Sequence, residues 1–245
     1  MTEAVLILGA TSAIARATAA AFAAQGHPLY LAARDLDELR RSAADLHLRY
    51  GVEVRYGLFD AEATETHAAF LQTVIEEMQG LRGVVLAFGY LGDQQAARDF
   101  SVGAKVIASN FTGAASILSH CANYFEPLQR GFIIGISSVA GDRGRQSNYV
   151  YGAAKGALSL YLQGLRNRLF ASGVRVITIK PGFVDTAMTY GLPGLFLVAS
   201  PHAVGERIVA ALDKSADVVY LPWFWRYIML IIKHIPEPIF KRLKL

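Results

Sequence analysis

Short apolar runs alternate along the chain with longer segments in which apolar residues recur at helical spacing. The runs predict strands at 5–8, 29–33, 52–56, 84–87, 132–137, 174–179 and 218–221. Helices are predicted between them, most clearly over 13–24, behind Asp35, and from Phe70 to Met78. Continuous apolar strands are typical of strands with both faces buried. The pattern therefore predicts a single-domain, doubly wound α/β fold: a parallel sheet of about seven strands with helices on both faces.

Composition excludes several classes of protein. The chain has 245 residues, of which 53% are hydrophobic and 18% charged, so it is not disordered. Its one cysteine, Cys121, rules out an intrachain disulfide and a multi-cysteine metal site, and the histidines lack zinc-ligand spacing. No basic segment precedes the short apolar run at the N-terminus, so the chain does not look secreted. We predict a cytoplasmic protein without a metal.

The net charge of +4 is concentrated at the C-terminus. From Pro222 onward there are five basic residues and one acid, Glu237, so this tail alone carries 5 − 1 = +4. The rest of the chain is neutral. A nucleic-acid binder would carry a basic stripe on its body, so we expect no nucleic-acid partner.

The turn after the first predicted strand consists of small residues. It has the sequence Gly-Ala-Thr-Ser-Ala-Ile-Ala from residue 9 to 15. Small residues let a backbone approach a pyrophosphate, and the following helix offers unpaired N–H groups. We predict cofactor contacts from Gly9, Thr11, Ser12, Ala13 and Ile14. The alternative is an ordinary turn without a ligand.

Two further strand ends carry candidate cofactor residues. Arg34 follows the second strand, where a guanidinium can pair with a 2′-phosphate, and this favours NADP (NADPH) over NAD. In the competing interpretation Asp35 binds the ribose and Arg34 is solvated. After the third strand, Asp60 accepts from an adenine amino group beside Ala61, or it caps the next helix.

A serine, a tyrosine and a lysine form the candidate reacting group. Tyr151 and Lys155 are four residues apart and share a helix face. An ammonium one turn away is expected to lower the tyrosine pKa from about 10, which makes the pair a usable proton donor and acceptor. Ser138 closes the fifth strand, so its hydroxyl can hold a carbonyl oxygen in the same space. Tyr149 lacks such a partner because the residue four later is Ala153. The alternative is an incidental Tyr/Lys pair on a helix.

Three segments together resemble the classical short-chain dehydrogenase/reductase (SDR) family. They are the turn at 9–15, the Ser-x12-Tyr-x3-Lys spacing of Ser138, Tyr151 and Lys155, and the segment 180–186. The resemblance implies one NAD(P)-binding Rossmann domain over 1–245, a carbonyl reductase or related oxidoreductase activity, and a homodimer or homotetramer.

The resemblance also implies roles for further residues. Asn110 matches a fourth catalytic residue, which supports a water that relays protons to the lysine, and Lys155 and Tyr151 contact the cofactor. Additional cofactor contacts are implied after the fourth and sixth strands, at Ala87, Gly89, Pro181, Val184 and Thr186. The chain departs from the family pattern at Ala13 and Ala15, where glycines are usual, and at 86–89, where only Gly89 remains of Asn-Asn-Ala-Gly.

Three segments, 87–93, 142–149 and 226–236, resemble one branch of the family, the decaprenylphosphoryl-2-keto-ribose reductases. This branch implies a keto-sugar substrate carried on a polyprenyl phosphate. Arg143 and Arg145 then meet a phosphodiester; the alternative is that they are solvated loop charges.

Residues 187–200 match the family's substrate lid. Leu192, Leu195, Phe196 and Leu197 predict an apolar substrate portion, and the alternative is a loop that packs on the body or on a partner. The tail, 222–245, is apolar and basic but too interrupted to span a bilayer. It packs on the body or on another subunit, or it lies on the inner face of a membrane.

These features lead to one main hypothesis and two others. The main hypothesis is an NADPH-dependent reductase that converts a keto group to a secondary alcohol, possible substrates including a lipid-linked keto-sugar. The alternatives are an NADP-binding, non-catalytic sensor or scaffold, and a membrane-surface module that acts through the tail.

Overall fold

A computed structural model describes residues 3–191 and 196–243. Its strands are β1 (Ala4–Leu8), β2 (Leu29–Ala33), β3 (Val54–Leu58), β4 (Leu81–Leu86), β5 (Phe132–Ile136), β6 (Arg175–Pro181) and β7 (Val218–Leu221). They form one parallel sheet in the order β3-β2-β1-β4-β5-β6-β7. The strand order reverses at β1 and β4, because β2 and β3 lie on one side of β1 and β4 to β7 lie on the other. Ligands bind at this point of reversal in doubly wound folds. The predicted sheet is confirmed.

The helices lie on both faces of the sheet, also as predicted. They are α1 (Ala13–Ala24), α2 (Leu36–Tyr50), α3 (His67–Met78), α4 (Phe100–Ile107), α5 (Gly113–Leu128), α6 (Tyr149–Leu169), α7 (Pro201–Ala210), α8 (Trp225–His234) and α9 (Glu237–Phe240). One apolar core joins the sheet to α1, α2 and α7, and a second joins it to α3, α5 and α6. The two cores fix the sheet between two helical layers.

The prediction that every strand is buried on both faces is wrong at the two sheet edges. Strands β1, β2 and β5 are buried throughout, but β3 has two exposed positions in succession and β7 is only partly buried. An edge strand has no neighbour on one side and less helix above it. β3 also begins two residues later than predicted, because Val52 packs in the core before the strand starts.

The C-terminal tail packs on the body of the domain. Trp225 and Met229 of α8 are buried against Val139. Phe196 contacts the rings of Phe183 and Trp225, with centroids 5.7 and 5.6 Å away. At Phe196 the predicted lid therefore packs against the tail; Leu192 and Leu195 lie outside the described residues. No helix in the described ranges is long and apolar enough to cross a membrane.

Candidate active site

Two adjoining cavities open at the carboxyl ends of the strands. The main cavity, about 580 Å³, lies over β4, β5 and β6, and the side cavity, about 410 Å³, lies over β2 and β3. They share residues at the β1–β4 reversal, namely Thr11, Ser12, Ala87, Phe88, Gly89 and Met188. Every residue for which the sequence predicts a cofactor contact lines one cavity or both. Asn110 alone among the predicted site residues lies behind the wall.

The turn after β1 brings two strand ends together. Gly9 has a φ of +78°, and a Cβ there would lie 2.6 Å from the backbone nitrogen of Phe88. The Ser12 hydroxyl accepts from the Ala15 amide and donates to the Ala87 carbonyl, both at 3.3 Å. Only a glycine permits this approach. The first turn of α1, whose N–H groups have no acceptor within the helix, therefore faces the cavities.

The two alanines that replace family glycines are accommodated differently. Ala15 is fully buried in the core between α1 and the sheet. Ala13 lines the main cavity with Ile14. The methyl group of Ala15 thus packs inside the protein and leaves the cradle open, so the residues present fit a bound pyrophosphate.

Arg34 and Asp35 have different surroundings after β2. The Asp35 carboxylate accepts from the Glu38 amide at 2.9 Å and caps α2. Arg34 is exposed and lines the side cavity. Both residues thus line the side cavity, and they differ in that one oxygen of the Asp35 carboxylate is engaged in the cap of α2.

Asp60 does not cap the next helix. Its carboxylate accepts from the Glu62 amide at 3.0 Å, and its carbonyl oxygen contacts Nε2 of the buried His67 at 3.0 Å. The turn also packs closely on α5, because a Cβ on Gly113 would lie 1.8 Å from the Ala61 carbonyl oxygen. These contacts hold Asp60 and Ala61 at the wall of the side cavity.

Ser138, Tyr151 and Lys155 meet at the wall of the main cavity. Ser138 follows β5, and its hydroxyl accepts from the Ala140 amide at 3.1 Å. Tyr151 and Lys155 lie on one face of α6, with Nζ 5.8 Å from the centre of the tyrosine ring. The Lys155 ammonium donates to the Ile136 carbonyl at 3.1 Å. A serine hydroxyl, a phenol and an ammonium thus face one space.

Close packing of glycines sets the position of α6. A Cβ on Gly141 would lie 2.6 Å from the Gly156 nitrogen, and one on Gly152 would lie 2.9 Å from the Ala140 carbonyl. The buried Ser137 hydroxyl donates to the Lys155 carbonyl at 2.8 Å. Small residues therefore allow the helix to approach the segment that carries Ser138.

The expected lowering of the Tyr151 pKa is not what the structure shows. Burial raises the pKa of Tyr151 to about 12, and the hydrogen bond with Ser138 opposes that rise. Burial also lowers the pKa of Lys155 to about 8. Both side chains are nearly inaccessible, so desolvation outweighs the attraction between ammonium and phenolate.

Asn110 lies in a π-helical turn, Ala108–Thr112, between α4 and α5. Its amide nitrogen donates to the carbonyls of Tyr90 and Val106 at 2.6 and 2.8 Å, and its oxygen accepts from the Tyr90 amide at 3.2 Å. A Cβ on Gly89 would lie 2.8 Å from this oxygen and 3.2 Å from the Lys155 ammonium. Asn110 thus holds the 89–90 backbone beside Lys155.

The segment after β6 closes the far wall of the main cavity with Pro181, Val184 and Thr186. The Thr189 hydroxyl donates to the Val184 carbonyl at 2.6 Å and lies 3.3 Å from the Thr186 hydroxyl. These contacts fold residues 184–189 into a compact turn.

Arg143 and Arg145 lie in different surroundings. Arg143 donates to the carbonyls of Lys233 and Ile235, at 3.0 and 3.3 Å, and to the Glu237 carboxylate at 2.6 Å. It therefore anchors the tail, and both the phosphodiester and the solvated-charge interpretations are wrong for this residue. Arg145 lines the main cavity.

Sequence reasoning missed several lining residues, among them Phe88, Leu91, Asn148 and Phe183, whereas Met188 falls within the predicted lid. Phe88 and Phe183 follow predicted strands, so their positions carried a signal. The others lie in irregular loops, where spacing gives no direction. No group of three His, Cys, Asp or Glu side chains within the described ranges is arranged to hold a metal.

The chain is similar in sequence to known oxidoreductases and in fold to a solved dehydrogenase. The chain is 34% identical to an uncharacterized oxidoreductase of Mycobacterium tuberculosis over 240 residues, covering 98% of this chain and 96% of the relative. It is 36% identical over 244 residues to an uncharacterized oxidoreductase of Streptomyces coelicolor, covering 97% and 94%. A short-chain dehydrogenase from Sphingobium yanoikuyae in complex with NADPH has the same fold, with a TM-score of 0.79, 24% identity and 96% of each chain covered.

The family assignment rests on a larger comparison than any one relative. The model of the short chain dehydrogenase family matches residues 3–193, which include β1 to β6 and the whole Ser138, Tyr151 and Lys155 group. With the fold and the cavity geometry described above, this shows that the chain belongs to the short-chain dehydrogenase family of oxidoreductases.

Proposed function

We propose that this protein reduces a keto group to a secondary alcohol with NADPH. The observation that supports the proposal most directly is the meeting of Ser138, Tyr151 and Lys155 at one wall of the main cavity. When bound, NADPH supplies the hydride. The protein supplies the position of the ketone, a proton for the alkoxide, and a surface that excludes water.

Tyr151 is the proton donor. Because burial raises its pKa to about 12, it is a neutral phenol at pH 7, which is the form that reduction requires. Ser138, next to Tyr151, holds the carbonyl oxygen.

Lys155 and Asn110 support this proton transfer. Lys155 uses one donor on the Ile136 carbonyl, and its other hydrogens are available for a ribose hydroxyl and the phenol. The Asn110 amide nitrogen already makes two hydrogen bonds to the backbone, so we assign it a positioning role through residues 89–90. This differs from a direct contact between its side-chain N–H and a relay water.

The direct test is a pair of variants on α6. Tyr151→Phe removes the phenolic proton and is expected to lower turnover about 10²- to 10⁴-fold while the Kd for NADPH changes little. Tyr149→Phe, on the same helix but exposed, is the control and is expected to keep its rate. Turnover would be followed by NADPH absorbance on a panel of ketones.

Two outcomes of this test are decisive. Turnover of Tyr151→Phe equal to that of Tyr149→Phe contradicts the role of Tyr151. NADPH binding by the unchanged protein with no turnover on any ketone favours the sensor or scaffold hypothesis.

The preference for NADPH over NADH is a finer proposal. Its support is that Arg34 is exposed at the side cavity, whereas Asp35, which lines the same cavity, has one carboxylate oxygen engaged in capping α2. A guanidinium at this position pairs with the 2′-phosphate that NADH lacks. Calorimetric titration with both cofactors tests this, and equal affinity would contradict it.

A lipid-linked keto-sugar substrate is also a finer proposal. The main cavity combines apolar side chains, such as Leu91, Phe183 and Met188, with the polar group around Tyr151. We expect a higher kcat/KM for a polyprenyl-phosphate keto-pentose than for the free keto-pentose. Equal values would show that the lipid makes no contribution.

Membrane contact through the tail is a third finer proposal. α8 exposes Tyr227, Leu230 and Ile231 on one side, with Arg226 and Lys233 nearby. Apolar and aromatic side chains next to basic ones suit an anionic membrane surface. Ile231→Glu is expected to weaken co-sedimentation with vesicles that contain anionic lipid, whereas Leu48→Glu, at an exposed apolar position on α2, is the control. Equal binding of both variants would exclude this surface.

A further inference from the structure

The loop between β5 and α6 carries two polar side chains into the main cavity. Arg145 and Asn148 line it together with Ser138 and Tyr151. The backbone N–H of Asn148 donates to the backbone carbonyl of Arg145 at 3.2 Å, so a turn fixes the backbones of the two residues relative to each other. Both side chains are therefore held on the wall that also carries the candidate reacting group.

The Arg145 guanidinium has unused hydrogen-bonding capacity. Its Nε is buried and lacks a partner in the described part of the chain. Its one hydrogen bond there is long, from Nη2 to the Val139 carbonyl at 3.5 Å. An arginine has five donor hydrogens, and leaving a buried one unpaired is costly.

No carboxylate among residues 3–191 and 196–243 forms an ion pair with this guanidinium. The adjacent acid, Asp142, is occupied, since its carboxylate pairs with Lys180 and accepts from the Tyr220 hydroxyl at 2.6 Å. Arg143, two residues away, is fully used by the tail. Asp142 therefore attracts the positive charge of Arg145 from nearby but makes no ion pair with it in the described ranges.

Asn148 also has a buried atom without a partner. It precedes α6, a position where asparagine commonly caps the helix through its side-chain oxygen. Here no such cap forms, and Oδ1 is buried and unpaired. Buried polar groups are rarely left unsatisfied, and at a cavity wall a ligand can satisfy them. Two such atoms therefore lie on one short loop whose residues Arg145 and Asn148 line the main cavity.

We propose that Arg145 and Asn148 form an anion-recognition subsite that selects keto substrates bearing a carboxylate or a phosphate. The Arg145 guanidinium binds the anionic oxygens, and Oδ1 of Asn148 accepts a hydrogen bond from a neighbouring polar group of the substrate. This rests on the proposed function, because it places the anionic group in the cavity that holds Tyr151. The subsite would set substrate choice without taking part in proton transfer.

The first test measures binding and needs no turnover. The Nε–Hε signal of Arg145 would be observed by ¹⁵N NMR of the full chain with NADPH present, and assigned by its loss in Arg145→Lys. The probes are 4-oxopentanoate and dihydroxyacetone phosphate, with the neutral analogues 2-pentanone and dihydroxyacetone. We expect saturable shifts with at least one anionic probe and none with its neutral analogue. The anionic probe that shifts the Arg145 signal shows whether the subsite prefers a carboxylate or a phosphate.

The second test measures specificity. Arg145→Met keeps an unbranched apolar stem but removes the guanidinium and its charge, and Arg40→Met, at an exposed position on α2, is the control. For the anionic ketone we expect kcat/KM to fall about 10- to 100-fold in Arg145→Met, chiefly through KM. For the neutral ketone we expect a change of less than about twofold, and partial recovery in Arg145→Lys.

The outcomes separate the subsite from the reductase itself. If Arg145→Met lowers both ketones equally, or if no anionic probe shifts the Arg145 signal, the subsite is refuted while reduction stands. If Tyr151→Phe retains turnover but the NMR shifts occur, the reductase mechanism fails and the subsite survives.

Discussion

The two cavities differ in how their polar side chains are used. In the side cavity, the carboxylates of Asp35 and Asp60 both accept from nearby amides. In the main cavity, buried atoms of Arg145 and Asn148 lack partners in the described structure. Among the described lining side chains, those of the side cavity therefore have no buried polar atom without a partner, whereas those of the main cavity have two.

This difference indicates two modes of recognition. A ligand in the side cavity is met by the turn at residues 9–12 and by Arg34, with little change in the existing hydrogen bonds. A ligand in the main cavity gains by pairing groups that are otherwise buried and unpaired, which gives stronger discrimination between chemical groups. The first mode suits the part of a cofactor that Arg34 and Asp60 would contact, and the second suits selection of a substrate beside Tyr151.

The largest expected effect is at Lys155. Lys155→Met is expected to lower ketone reduction about 10²- to 10⁴-fold. Because burial lowers the pKa of this ammonium to about 8, its charge destabilises the folded state at pH 7. The variant should therefore raise the free energy of unfolding by about 1 to 3 kcal/mol at pH 7, with one lost hydrogen bond opposing the gain.

Urea denaturation at two pH values checks the sign of this effect. For a lysine whose pKa is lower in the folded state, the stability of the native protein rises as pH increases from about 8 to the unfolded value of 10.5. The variant lacks that contribution. A Lys155→Met protein less stable than the native one at pH 7 would contradict the destabilising charge.

Gly113 tests the packing beneath the side cavity. Gly113→Ala places a methyl group against the Ala61 carbonyl, at 1.8 Å before relaxation. We expect a loss of about 3 kcal/mol in unfolding free energy and weaker NADPH binding, because the turn that carries Asp60 must move. Gly164→Ala, in α6 with open space around it, is the control and is expected to gain about 0.5 to 1 kcal/mol. Calorimetric melting of both variants decides the matter.

The pH dependence of reduction tests whether Lys155, in the main cavity, must be protonated. If the Lys155 ammonium is required, kcat/KM for NADPH should be constant below pH 8 and fall about tenfold per unit above it. The phenol of Tyr151 keeps its proton throughout this range, since burial raises its pKa to about 12. A profile that rises through pH 8 would assign the reverse protonation state.

The smallest expected effects separate Arg34 from its neighbour. Asp35→Ala removes the cap of α2 and is expected to cost about 1 kcal/mol of stability with little change in cofactor preference. Arg34→Ala is expected to leave stability unchanged but lower the preference for NADPH over NADH about tenfold. Thermal denaturation and titration with both cofactors measure the two effects. If Asp35→Ala changed the cofactor preference and Arg34→Ala did not, the ribose contact would belong to Asp35.

The predicted strand ends were accurate enough to locate the site. β2, β7 and α1 have their predicted bounds, and the residues expected at strand ends line the two cavities. The π-helical turn at Asn110 and the edge character of β3 were not foreseen. Both depend on which elements pack beside them, and the local spacing of apolar residues does not predict those neighbours.

The chain by itself determined the order of strands and helices and the spacing that places Tyr151 and Lys155 on one helix face. These properties are local, because a helical repeat and an apolar run act over a few residues. Tertiary structure alone decided that Arg143 anchors the tail while Arg145 faces the cavity, although both lie in one loop. It also decided the raised pKa of Tyr151, since desolvation depends on the atoms that distant segments bring around a side chain.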